Sequence, residues 1–286
     1  MQTLTHFPIP GRHGRPVLLD LKFERTGEPK PLAVFLHGYK GFKDWGVFAR
    51  MDAEFARAGY ALLKLNFSHN GGTAEQPIDF PDLEAFGQNT YSKELDDVQA
   101  VLDWVGQSGQ TDAYQSEIDT GRITLIGHSR GGGIATLTAA SDRRIKRLVT
   151  WAAVSTLDRP LFQPGPELEA WKANGVTYVR NGRTLQDMPH FIQFYEDFQA
   201  NRARFNVEAA ARSLAIPHTI VHGDADAAVP HAHAEALHRW SAQSELHTVP
   251  GADHVFGGRH PWDEPELPEH FRHVLEVTLR PGGFGR

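Results

Sequence analysis

A chain of 286 residues, 40% hydrophobic and 22% charged, has an ordinary globular composition near the upper size that one core organises, which predicts a single α/β domain carrying an insertion. A formal charge of −6 lacks the basic excess of a general nucleic-acid binder, and no apolar run approaches bilayer length, so neither nucleic acid nor membrane is an expected partner. With no cysteine there is no disulfide, no thiolate nucleophile and no cysteine metal site, so any catalysis falls to other groups. Met1 to Pro10 has neither the basic start nor the apolar centre of a secretory signal, and the expected location is the cytoplasm. The sixteen histidines include no His-Glu-x-x-His, and His231 and His233 are two apart, which on a helix points them to different faces; no metal is expected.

In chain order, Val17 to Phe23 is a short apolar alternation, and Leu32 to Leu36 is a continuous apolar run suited to a strand buried on both faces. The turn His37-Gly-Tyr-Lys-Gly41 leads into a predicted helix around Trp45 to Ala58. Ala61 to Phe67 is the next buried strand, and Ser68 to Gly72 reads as turn chemistry at its carboxyl end. Thr73 to Thr90, rich in proline and acid, is predicted to be a long surface loop. Ser92 to Gly106 carries Leu95, Val98, Val101, Leu102 and Val105 at helical spacing, with Glu94, Asp96 and Asp97 suiting the dipole at its start. The strand ending at Gly127, a helix over Ile134 to Ala140 and a strand over Arg147 to Val154 continue an alternation that predicts a parallel sheet.

The regularity stops at Ser155. From there to about Phe198 the chain is broken by Pro160, Pro164, Pro166 and Pro189, and it carries Leu161, Phe162, Trp171, Tyr178, Phe191, Phe194, Tyr195 and Phe198. Two readings stand: a lid with apolar walls over the strand ends, or aromatics that only close a small satellite core. A helix over Arg204 to Leu214, a strand over Pro217 to His222, a helix over His231 to Trp240, a strand over Ser244 to Val249 and a helix over Leu267 to Leu279 complete the pattern, and Pro281 to Gly285 is read as a frayed tail.

Gly127-His-Ser129-Arg-Gly131 has the spacing of a nucleophile elbow, a strained strand-to-helix turn in which the flanking glycines let neighbouring backbones approach. Such a turn raises the Ser129 hydroxyl above the sheet and sets the N–H of Arg130 beneath any oxyanion. A second donor is needed opposite, and Tyr39, in the turn after an early buried strand, is the candidate. A serine hydroxyl also needs a base, and the base an acid that fixes its tautomer. Asp226, after one late strand, and His254, after the next, supply them in the order Ser, Asp, His. His128, His222 and Asp253 flank these motifs and are read as shaping turns.

At these residues the sequence resembles the α/β-hydrolase superfamily over nearly its whole length from Leu32 onward, through His37-Gly38, Gly127-x-Ser129-x-Gly131, Gly223-Asp-x-Asp226-x-x-Val-Pro230 and Gly251-Ala-Asp-His254. It looks most like small bacterial hydrolases related to cinnamoyl and feruloyl esterases and to the catalytic domain of prolyl-oligopeptidase-type enzymes. The resemblance implies a mostly parallel central sheet with helices on both faces and a lid insertion at about 155–200. It implies that Asp226 orients His254 while Asp224 holds the loop, and that the Tyr39 and Arg130 amides form the oxyanion hole. The expected activity is serine carboxylic-ester hydrolysis through an acyl-enzyme, on a small ester with a short-to-medium or aromatic acyl group, with no metal or organic cofactor. Amide or peptide cleavage is the nearest alternative, and a non-catalytic ligand-binding protein is the reading from another class, against which the complete Ser129, Asp226, His254 set stands. No propeller domain is expected with the hydrolase motifs, the insertion matches no substrate motif, and a homodimer is left open.

Overall fold

The runs that are apolar on both faces become the interior strands of one eight-stranded sheet. The computed structural model describes residues 2–107 and 116–280; the tail beginning at Pro281 lies outside the described residues. The strands are β1 (Gln2–Ile9), β2 (Val17–Phe23), β3 (Lys30–Leu36), β4 (Ala61–Asn66), β5 (Ile118–His128), β6 (Ile145–Trp151), β9 (His218–Gly223) and β10 (Ser244–Val249), with β7 (Val176–Arg180) and β8 (Asp187–Phe191) forming a separate antiparallel hairpin. Their order in the main sheet is β1-β2-β4-β3-β5-β6-β9-β10. From β4 to β10 every neighbouring pair is parallel; β1 with β2 and β2 with β4 are antiparallel. Parallel pairing places the loops after β3, β5, β6, β9 and β10 at one end of the sheet, where α/β folds build their sites.

Alternate residues of each strand feed two cores. Leu32, Val34 and Leu36 face one layer, shared with α3 (Tyr91–Gly106) and α4 (Arg130–Ser141), while Ala33 and Phe35 face the other, shared with α1 (Asp52–Arg57) and α9 (Glu269–Thr278). The remaining helices are α2 (Leu83–Gly87), α5 (Pro166–Asn174), α6 (Gln193–Ala200), α7 (Val207–Ser213) and α8 (Ala232–Trp240). At the α3 start, Thr90 Oγ1 accepts from the Lys93 amide, a side-chain cap for an otherwise unpaired N–H.

Four expectations change. β1 was not foreseen, because its side chains are mostly exposed and only Ile9, with Leu4 and Phe7 beside it, reaches the core. The region after Trp45 is a short 3-10 turn, Gly46–Ala49, before α1 begins at Asp52. Residues 73–90 are no simple surface loop: Phe80 and Phe86 are buried with Phe42 and Met188, and α2 lies within the segment. Two of the three acids at the start of α3 are buried rather than displayed to solvent, Glu94 against Arg130 and Asp97 as acceptor of the Ser68 amide at 2.8 Å.

Candidate active site

Ser129 follows the last residue of β5 and precedes α4, with φ 56° and ψ −122°, a conformation costly for a residue with a Cβ. The backbone around it is pinned: the Ser129 amide donates to the Trp151 carbonyl at 2.9 Å, and the Ser129 carbonyl accepts from Gly132 at 3.0 Å and Val154 at 3.2 Å. The glycines are dictated by contact, since a Cβ on Gly127 would lie 2.3 Å from the Gly131 oxygen and one on Gly131 would lie 2.4 Å from the His37 oxygen.

Asp226 and His254 come from the loops after β9 and β10. His254 Nδ1 and Asp226 Oδ2 are 2.8 Å apart. The other carboxylate oxygen, Oδ1, accepts from the backbone amides of Ala228 and Val229, both at 2.8 Å, and His222 Nε2 stands 3.2 Å from Oδ2. Burial alone raises the Asp226 pKa, but hydrogen bonds from His222, His254 and Val229 outweigh it and hold the carboxyl below the usual range. A permanent carboxylate there keeps the His254 proton on Nδ1 and leaves Nε2 as the basic nitrogen.

His128, the residue before the serine, links the two halves. Its Nε2–H donates to the His254 carbonyl at 2.8 Å, and the two rings lie 4.8 Å apart. Burial lowers its pKa to about 3, with proximity to His254 adding to the effect, so it is a neutral strut. Ser129 Oγ and His254 Nε2 have no hydrogen-bonded partner among the described residues; catalytic contacts of this kind tighten when substrate arrives. Asp224 accepts the Gly251 amide at 2.6 Å and so ties the two loops together, while Asp253 accepts from the Val255 and Gly257 amides within its own turn.

The turn after β3 closes on the serine from the other side. A Cβ on Gly38 would meet Ser129 Cβ at 2.8 Å and Oγ at 3.3 Å. His37, whose pKa burial lowers to about 3, donates Nδ1–H to the Gly38 carbonyl at 2.9 Å, and Gly41 donates to the same oxygen at 3.2 Å. In a trans peptide the N–H points opposite to the C=O, so fixing the Gly38 oxygen on the His37 side turns the Tyr39 N–H away from it. Neither the Tyr39 amide nor the Arg130 amide is used in a hydrogen bond among the described residues.

The side chains of those two residues were not read from the sequence as parts of a site. Arg130 pairs with Glu94 at 2.6 Å, and its guanidinium carbon lies 4.9 Å from the centre of the Tyr39 ring. Tyr39 donates its hydroxyl to His190 Nε2 at 2.6 Å, since burial, aided by Arg159, Arg130 and Lys40, holds His190 well below its usual pKa and therefore neutral. Arg159 stacks on the Tyr39 ring at 4.4 Å. Nothing short of the fold brings these residues together: Tyr39 and His190 are 151 positions apart.

The insertion consists of a 3-10 turn (Pro160–Phe162), α5, the β7–β8 hairpin and α6. Phe162, Trp171, Phe194 and Phe198 are buried against Tyr91 and Phe205 as part of the main core, so they form neither a free apolar wall nor a separate satellite core. What the insertion presents to Tyr39 is His190 and Arg159. His6, Asp20 and Asp44 gather within metal-ligand range, but the Lys43 ammonium bridges Asp20, at 2.6 Å, and Asp44.

A sharp serine turn at the carboxyl end of a mostly parallel sheet, with an acid and a histidine on the loops after the next-but-one and last strands, is the layout of an α/β hydrolase. The chain belongs to the alpha/beta hydrolase family, whose model matches residues 33–266. No curated protein matches it by sequence. Among solved structures it is similar to Est1E from Butyrivibrio proteoclasticus with ferulic acid bound, at 22% identity and TM-score 0.72 over 96% of each chain. It is also similar to the esterase domain of a Rhodothermus marinus protein, at 18% identity and TM-score 0.62 over 97% of this chain and 96% of that one. DcsB in complex with its substrate analogue matches at 12% identity and TM-score 0.72 over 100% of both chains. At these identities the likeness establishes the fold.

Proposed function

We propose that the protein is a serine carboxylic-ester hydrolase in which Ser129 is the nucleophile, His254 the base and Asp226 the orienting acid. The observation that carries this reading is the Asp226 carboxylate, filled on one oxygen by two backbone amides and on the other by His254 Nδ1, beside a serine held at positive φ. Ser129 Oγ attacks the ester carbonyl carbon while its proton passes to His254 Nε2, and the oxyanion is held by the Tyr39 and Arg130 amides. The C–O bond to the alcohol breaks as His254 returns the proton to the leaving oxygen. Water then attacks the acyl-enzyme by the same route, releasing the carboxylic acid and restoring the serine. The step needs no metal or organic cofactor, and the lid is the 155–200 insertion. The esterase domain among the similar structures supports reading the scissile bond as an ester.

Turnover of p-nitrophenyl butyrate by wild type and Ser129→Ala tests the assignment, together with labelling by a fluorophosphonate probe. The expected result is covalent labelling at Ser129 and loss of turnover by at least about 10³-fold in the variant. Full activity in Ser129→Ala, or no label on folded wild type, would sink it. A matched anilide is expected to be cleaved much more slowly than the ester.

A further inference from the structure

The charges around Tyr39 do not balance. Three cationic side chains surround its ring: Arg159 at 4.4 Å, Arg130 at 4.9 Å and Lys40 at 5.2 Å from the centroid. One acid, Glu94, pairs with one of them, Arg130. Among the described residues the Lys40 ammonium donates only to the Arg180 carbonyl, at 3.2 Å. Arg159 makes no ion pair or side-chain hydrogen bond among the described residues, and its Nη1 is buried with no partner. The adjacent Asp158 is engaged elsewhere, with Gln163 at 3.0 Å and Arg202 at 3.3 Å.

A buried N–H left without an acceptor costs about 1–3 kcal/mol, and more on a charged group, so a guanidinium in that state gains from any acceptor brought to it. The planar fork of an arginine fits a carboxylate best, through two parallel N–H to O bonds. The place is specific as well. Arg159 stacks on the side chain of the residue whose amide faces the reaction, one position after the glycine that touches Ser129. Neutral His190 accepts the Tyr39 hydroxyl and so holds the ring face on which Arg159 lies.

We propose that Arg159, with Lys40 beside it, is an anion subsite of the active centre and that the natural substrate is an ester carrying a free carboxylate. This rests on the ester-hydrolase reading above and narrows its substrate. The apolar lid walls that were one reading of the insertion do not form, because those aromatics are spent on the core.

Two matched substrate pairs test it, each rate being divided by the hydroxide-catalysed rate of the same ester. In 4-acetoxybenzoate and 4-methylphenyl acetate the carboxylate is on the alcohol side; in monomethyl terephthalate and methyl 4-methylbenzoate it is on the acyl side. The expected result is a kcat/KM at least ten-fold higher for the carboxylate member of one pair. Arg159→Gln reduces that ratio at least ten-fold and Arg159→Lys recovers part of it; because the ratio is read within each variant, a general loss of folded protein cancels. A ratio at or below one in both pairs with wild type, or a preference that survives in Arg159→Gln, overturns the subsite. Absence of turnover on all four esters together with absence of fluorophosphonate labelling overturns the ester reading instead. The subsite is then read by calorimetry, where benzoate binding to wild type and its loss in Arg159→Gln supports it and no difference overturns it.

Discussion

At Asp226 the two carboxylate oxygens have different duties, and this makes the residue hard to replace. Oδ1 accepts from two amides of its own loop, which only an acceptor satisfies, so an asparagine placed there must keep its oxygen on that side and turn its NH2 toward His254. The imidazole then has to accept at Nδ1, moving its proton to Nε2 where a lone pair is needed. Asp226→Asn is therefore expected to fold as wild type by circular dichroism while losing about 10³–10⁴-fold in kcat on a p-nitrophenyl ester; a loss below ten-fold would remove Asp226 from the mechanism. The sharp turn at Ser129 and the meeting of Asp226 with His254 were legible in the sequence because a strained turn and two loop motifs impose residue types at fixed spacings. Arg159, His190 and the pairing of Arg130 with Glu94 were not, because a side chain that acts through long-range packing leaves no local spacing to read. The bland reading of His128, His222 and Asp253 also needs sharpening: Asp253 shapes its own turn and His222 Nε2–H donates to the Val229 carbonyl at 2.8 Å in its own loop, but His128 reaches across to His254.

Among the elements, α3 shows how a correct assignment can hide the wrong surface. Its apolar face was plain from the three-and-four spacing, while its acids were read only as structural partners of the helix dipole. In the fold Asp97 is 1% exposed, and one of its oxygens, Oδ1, has no partner. Burial raises its pKa from 3.8 to about 7, against the pull of the Ser68 hydrogen bonds. The unfolded chain releases this proton first as pH rises, so between those two values the native state holds the extra proton and stability falls with rising pH; above about 7 the loss is complete. Comparing unfolding free energies in urea, the advantage of Asp97→Asn over wild type is expected to grow by on the order of 4 kcal/mol from pH 4 to pH 8. A difference that stays constant across that range would show that Asp97 ionises in the fold as it does in water. β1 and α2 escaped sequence reading for different reasons: most of β1's side chains are exposed and only a few reach the core, and α2 is a five-residue helix whose buried phenylalanine lies in a proline-rich stretch without periodicity.

For the whole molecule, the parallel half of the sheet was legible because strands buried on both faces are apolar without interruption, and the alternation of such runs with helices leaves few topologies. The hairpin β7–β8 and the way the insertion joins the main core were not, since Tyr178 is 61% exposed and the pattern there is neither strand-like nor helix-like. One consequence of the strand order concerns how activity is lost. Ser129, the proposed nucleophile, rides on β5, flanked by β3 and β6 in the middle of the sheet, whereas His254 hangs from β10, the outermost strand, paired with β9 alone and half exposed along its length. Opening the rim of a sheet requires breaking one ladder, opening its middle two, so the two partners of the chemistry have unequal local stabilities. Amides of β10 are expected to exchange with deuterium faster than those of β5, and esterase activity to vanish at a lower urea concentration than the far-ultraviolet dichroism; coincident transitions would contradict this. On the proposed mechanism, inactivation then begins with the departure of His254 from an intact serine turn, and a covalent bond formed at Ser129 just before that departure has no route to hydrolysis until the rim closes again.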